Sequence, residues 1–185
     1  MNESRRQSVG ALHQSLGFLI TGGFLITSSE ITTDGAVFQD FTPLPTAVYG
    51  HCMVALDGDD GEFFVGGGKA PYDGGTSRRA FIHRGNQWVE VEQMPTARSG
   101  NKSNLEMVGE MNLMFCIADL MCGPVRSSPG GKVEKIVAAG GDLLDTIEVY
   151  DISTNTWTAG VCKYKGGSHF VADIKGGREK CTIKK

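Results

Sequence analysis

Histidine, cysteine and the acidic side chains are the groups in this chain able to move protons, hold a metal or form covalent bonds. There are 4 histidines and 5 cysteines among 185 residues. Zinc sites draw on both types at short, regular spacings. Cys52, Cys116, Cys122, Cys162 and Cys181 follow no such spacing. His13 and His83 lack a Cys, His or Asp partner at ligand spacing, and His51 and His169 recur at one place in a repeat, which assigns them a structural role. A free cysteine in a large β-fold behaves as a small buried apolar residue, so Cys52 is expected to face inward in the strand HCMVAL.

Asp145, Glu148 and Asp151 are close enough in sequence to share general acid–base work. A turn followed by one strand face explains them more economically. VGGGKA (65–70) approaches a phosphate-binding loop, but no glycine stands at the required offset before Gly68-Lys69, and Ala70 replaces the magnesium-binding Ser or Thr. DGDDGE (57–62) begins like a calcium loop and breaks at its sixth position, Glu62, which must be glycine; a hairpin turn fits it. No G-x-S-x-G nucleophile motif is present. No catalytic residue, metal ligand or cofactor is assigned, and the chain is expected not to be an enzyme.

A net charge of −3 and a pI near 5.8 give no electrostatic footprint for nucleic acid. Lys175, Arg178, Lys180, Lys184 and Lys185 gather at the C-terminus and read as a solvated tail. No stretch reaches the ~18 apolar residues that span a bilayer. LGFLITGGFLI (16–26) behind Arg5 and Arg6 has the look of a short signal-peptide core, but its FLITGG portion also fits a buried strand, and the strand is the expected role. A cytoplasmic location follows from that reading, and secretion from the other.

The elements that must position these residues form a repeat. FQDFTPLPTAVYGH (38–51) overlays WVEVEQMPTARSGN (88–101): Phe38 or Trp88, then Pro45 or Pro95 seven residues on, then Thr-Ala and a glycine. Apolar runs end in double glycines at FLITGG (18–23), FFVGGG (63–68) and KIVAAGG (135–141), marking Gly22-Gly23, Gly66-Gly67 and Gly140-Gly141. Trp157 follows Tyr150 by seven residues, as Trp88 follows Phe81 and Phe38 follows Ile31. Runs rich in Val, Ile, Leu and Phe are doubly buried strands, and the Asp34-Gly35, RGN (84–86) and STN (153–155) segments are their turns. The 26 glycines are spread along these turns and doublets, about twice the usual ~7%.

These residues resemble kelch repeats, across roughly residues 17–101 and 132–174. The resemblance implies an all-β fold, with each repeat one four-stranded blade of a β-propeller. It implies a partial, open propeller of about three blades plus the start of a fourth. Residues 1–16 are a lead-in and 17–185 the partial propeller. In the fourth blade GSHFVADIK (167–175) lies over YGHCMVALD (49–57), with His169 on His51 and Ile174 on Leu56. Three and a fraction blades leave a ring open, so the chain reads as a fragment or shortened isoform, with blade edges exposed to self-association.

The Gly67-to-Gly141 interval, 74 residues, exceeds the 44 from Gly23 to Gly67 by 30, so an insertion is expected at about 102–131. Its Met107–Cys122 core is apolar and methionine-rich. It reads as a docked helix, as an adaptable binding loop, or as sequence foreign to the fold.

The function implied is a non-catalytic protein–protein interaction scaffold that binds partners through inter-strand loops. The candidate surfaces are the insertion and loop 69–79, where Arg78 and Arg79 could meet an acidic partner. The alternatives are a fragment of a propeller enzyme of the galactose-oxidase kind and a non-functional truncated product. An adaptor role in ubiquitin ligases would rest on analogy alone.

Overall fold

The computed structural model describes residues 2–56, 61–72, 74–100, 113–115, 120–128, 131–141, 144, 146–160, 170–175 and 178–182; 113–115, 170–175 and 178–182 are described by backbone pairing alone. The described residues are all-β. The first blade pairs β1 (Val9–His13), β2 (Gly17–Thr21), β3 (Ser29–Thr32) and β4 (Gln39–Phe41) in chain order. The second pairs β5 (Cys52–Ala55), β6 (Phe63–Gly66), β7 (Ala80–Arg84) and β8 (Gln87–Val91) in the same way. After β9 (Leu113–Phe115), the third blade pairs β10 (Met121–Arg126), β11 (Val133–Ala139), β12 (Ile147–Asp151) and β13 (Thr156–Gly160). A last sheet joins β14 (Phe170–Lys175) and β15 (Arg178–Thr182), with β9 on the other side of β14. This is an open, partial propeller: three four-stranded blades and the start of a fourth.

The blades stack face to face, and each gap holds one core. Leu19 of blade one meets Met53, Phe63 and Val65 of blade two, with Leu44 and Val48 from the connection between them. Val54, Phe64 and Ile82 of blade two meet Ile136, Ala138 and Tyr150 of blade three, with Met94 from the next connection. Strand alternation sends one set of side chains forward and the other back. Strand β6, read FFVG, is therefore buried throughout, with Phe63 facing back and Phe64 forward.

The glycine doublet lets the connections pass close to the blades. In blade two the positive-φ pair is Gly67 and Gly68, at 70° and 92°, while Gly66 is a strand residue without positive φ. A Cβ on Gly67 would lie 2.5 Å from the Arg98 carbonyl of the next connection, and one on Gly68 2.9 Å from the Tyr49 carbonyl of the previous one. The doublet is thus wedged between two backbones, which no larger residue permits. Gly22-Gly23 and Gly140-Gly141 also have positive φ.

Aligned on these doublets, the aromatic positions differ from the sequence expectation. Tyr150 pairs with Ile136 on one side and Trp157 on the other. The corresponding pairs in blade two are Phe63–His83 and His83–Trp88. His83, not Phe81, therefore holds the tyrosine place. In blade one Thr32, paired with Phe18, holds it instead of Ile31. The turn before Trp88 is shorter than the one before Trp157, so the shared seven-residue offset is coincidental in blade two.

Three boundaries also shift. The lead-in contains β1, the innermost strand of blade one, so the propeller begins before residue 17. The interval 102–131 contains β10, the innermost strand of blade three, and 113–115 is strand, not helix; residues 101–112 and 116–119 lie outside the described residues. Cys52 faces inward as expected but is not free: it is bonded to Cys122, with a Cα–Cα separation of 5.5 Å, joining the inner strands of blades two and three.

Candidate functional site

The buried ionisable groups are mostly internal fasteners. Arg98, in the connection into blade three, is 0% exposed. Its guanidinium donates to the Gly140 carbonyl at 2.8 Å, to the Thr146 carbonyl and hydroxyl at 2.9 and 2.8 Å, and to Glu148 at 3.1 Å. Arg5 repeats the arrangement ahead of blade one, donating to the Gly22 carbonyl at 3.1 Å, to the Ser28 carbonyl and hydroxyl at 2.7 and 3.0 Å, and to Glu30 at 3.1 Å. Burial alone would raise the Glu30 carboxyl; the Asn2 amide and Arg5 outweigh it and hold the group below its ordinary value. In blade two the arginine place is Val48 and the glutamate place, paired with Val65, is Phe81, both buried. Both partners of the ion pair are therefore replaced together by apolar residues.

The histidines and tryptophans fasten neighbouring blades. His13 Nε2 donates to the Leu56 carbonyl of blade two at 3.0 Å, leaving Nδ1 to accept from the Ser15 amide. His51 shares a 2.9 Å hydrogen bond with Thr21, and burial pushes its imidazole down to about 4. The Trp88 indole donates to the Thr42 carbonyl, and the Trp157 indole to the Glu92 carbonyl. Thr42 and Glu92 each lie one residue beyond the preceding blade's outer strand. Both tryptophans are half-buried. Asn155 accepts from both the Tyr150 hydroxyl and the Glu92 amide, closing the same joint.

Glu148 is thus a structural acid, and Asp151 caps its own turn by accepting from Ser153 and Thr154. Asp145 and His169 lie outside the described residues. Arg78 and Arg79 are both engaged within the protein. Arg78 donates to the Met94 carbonyl at 2.6 Å, and Arg79 grips Glu90 with two 2.9 Å hydrogen bonds and lies 4.8 Å from the Phe81 ring centroid. Among the described residues no group of three His, Cys, Asp or Glu side chains could hold a metal ion, and no helix is long and apolar enough to cross a membrane.

The β2–β3 and β6–β7 loops emerge beside the connections between blades and carry exposed apolar side chains. Loop 69–79 is held at its base by bridges from Lys69 to Tyr49 and to Thr76, and across its turn by Ala70 and Gly75. It presents Tyr72 at 86% exposure. On the neighbouring loop, Phe24 and Leu25 are 41% and 49% exposed, and the Phe24 ring stands edge-on to Tyr49 at 5.4 Å. Leu25 has φ 66°, a conformation leucine rarely adopts. Loop 69–79 was legible in the sequence as a candidate. Tyr72 was not singled out, although an aromatic inside a Pro-Tyr-Asp-Gly-Gly turn has no strand to bury it.

No family model and no curated protein matches this chain. Among solved structures, that of YjhT is similar in fold, with a TM-score of 0.68 at 12% identity over 98% of this chain and 65% of that one. At that identity the likeness shows the fold alone. The chain spans 65% of the length of YjhT.

Proposed function

We propose that this chain is a non-catalytic scaffold of the kelch-repeat type, which binds a protein partner on the rim carrying Tyr72, Phe24 and Leu25. The observation that carries this reading is Tyr72, 86% exposed on a loop pinned at its base. An amphipathic ring on a held backbone contributes contact area at little entropic cost, and tyrosine is enriched at the energetic centres of interfaces. Arg98, Glu148, His13 and His51 support the reading in another way, because their bonds are spent on stacking blades.

The test is affinity capture with the full chain, comparing wild type, Tyr72→Ala and Phe24→Ala. Tyr72→Ala is expected to abolish capture of a specific protein while stability changes by less than ~0.5 kcal/mol, as for an exposed side chain. Unchanged capture by both variants, at matched folding, would defeat the proposal.

A further inference from the structure

The joint between blades one and two and the joint between blades two and three follow one plan, and they differ at a contact between inner strands. Thr21, Gly66 and Ala139 each stand just before a positive-φ glycine doublet, and register pairs them with Val9, Cys52 and Met121. One residue further along each inner strand come Gly10, Met53 and Cys122. Strand alternation turns Val9 and Cys52 toward the following blade, and Met53 and Cys122 toward the preceding one. The first joint therefore holds Val9 and Met53 in its apolar core, where the Thr21 hydroxyl also donates to the Met53 sulfur at 3.6 Å. The second joint holds Cys52 and Cys122 at the corresponding place, both buried, and bonds them across a sequence separation of 70. An apolar contact thus suffices there to stack two blades, and the covalent bond is an addition. The second joint has other fasteners as well, in the hydrogen bonds of Trp157 and Asn155 to Glu92 and of Gly68 to Arg98.

We propose that Cys52 and Cys122 form a redox latch. Oxidised, the pair locks blade two to blade three. Reduced by a dithiol, it leaves a joint held as the first one is, folded but able to open locally. In the reduction a thiolate of the dithiol attacks one sulfur, the Cys52–Cys122 bond breaks, and the reagent's second thiol resolves the mixed disulfide. Cys52 and Cys122 each end as a thiol, and the dithiol, having given up two electrons and two protons, ends as its own disulfide. A buried thiol packs as a small apolar group, so the reduced pair takes the part that Val9 and Met53 play in the first joint. Both cysteines are buried, so the reagent reaches them only when the joint opens. Cys52 lies opposite Gly66, next to the Gly67-Gly68 doublet, and the Gly68 amide donates to the Arg98 carbonyl. The state of the latch is therefore felt at Gly68. Nothing in the latch depends on a partner at the rim.

Native-state amide hydrogen exchange of the full chain, air-oxidised and after excess dithiothreitol, tests this, together with thiol alkylation read by peptide mass spectrometry. Cys52 and Cys122 should resist alkylation in the oxidised chain and accept it in the reduced one. Reduction should leave the circular dichroism unchanged and speed exchange at Gly68 by at least about tenfold, while Gly23, at the first joint, stays as it was. Cys52→Ala with Cys122→Ala should show the faster exchange with or without dithiothreitol, which separates this pair from Cys116, Cys162 and Cys181. If that variant misfolds, the wild-type comparison decides alone. Free thiols at Cys52 and Cys122 in the air-oxidised chain, or equal exchange at Gly68 in both states, would overturn the proposal. So would global unfolding on reduction, which would make the bond a structural staple.

Discussion

Arg98 and Glu148 are a buried pair whose worth depends on both members being present. Removing one leaves an uncompensated charge, so Arg98→Val should destabilise by ~3–5 kcal/mol in urea denaturation. The chain also contains an apolar solution to the same joint, in Val48 and Phe81. Arg98→Val with Glu148→Phe should therefore cost less than Arg98→Val alone. A double variant weaker than the single would mean that the blade-two arrangement cannot be transplanted. His51 gives a second test. Its imidazole is held near 4, against 6.5 ordinarily, so between those values the unfolded chain binds more protons than the folded one. Stability should accordingly fall as pH drops from about 6.5 toward 4, by up to ~3 kcal/mol from this group. NMR of the folded chain should show His51 still neutral at pH 5; an ordinary titration would contradict its burial.

Strands and turns were legible in proportion to how local their causes are. Double glycines after apolar runs identified β2, β6 and β11, because a doublet wedged between two connections tolerates nothing larger. The partner of Trp157 was read correctly but that of Trp88 was not, because an offset counted through a turn assumes one turn length and only pairing register reveals the change. His83 was thus hidden behind Phe81. Strand β10 was hidden in an apolar stretch whose methionines suit helix as well as strand. Arg5 and Arg98 were missed because their common environment lies in carbonyls that sequence does not display. The glycine account makes a graded prediction for two adjacent residues. Gly67→Val should destabilise by at least ~1–3 kcal/mol, since both its φ and the Arg98 carbonyl oppose a side chain. Gly66→Ala should cost less, because an added Cβ meets only the Phe64 ring, 2.9 Å away, and a side chain can shift. Equal losses in thermal unfolding would contradict the wedge.

The molecule is a stack of blades in which buried polar side chains join one blade to the next, and the loop rim proposed for partner binding stands outside those joints. The inter-blade fasteners are backbone bonds as well as side chains: Gly23 donates to Val48, Gly68 to Arg98, and Gly100 to Gly50. The Cys52–Cys122 bond adds a covalent link between the second and third blades. Backbone bonds at a rigid joint open only with the surrounding structure, whereas a presented loop opens locally. Amide hydrogen exchange under native conditions therefore tests the account most directly. The amides of Gly23 and Gly68 should be protected to the level of β2 and β6, and that of Tyr72 should exchange much faster. If Gly23 and Gly68 exchange as freely as Tyr72, the blades are not fastened through their connections, and the account of a rigid stack fails.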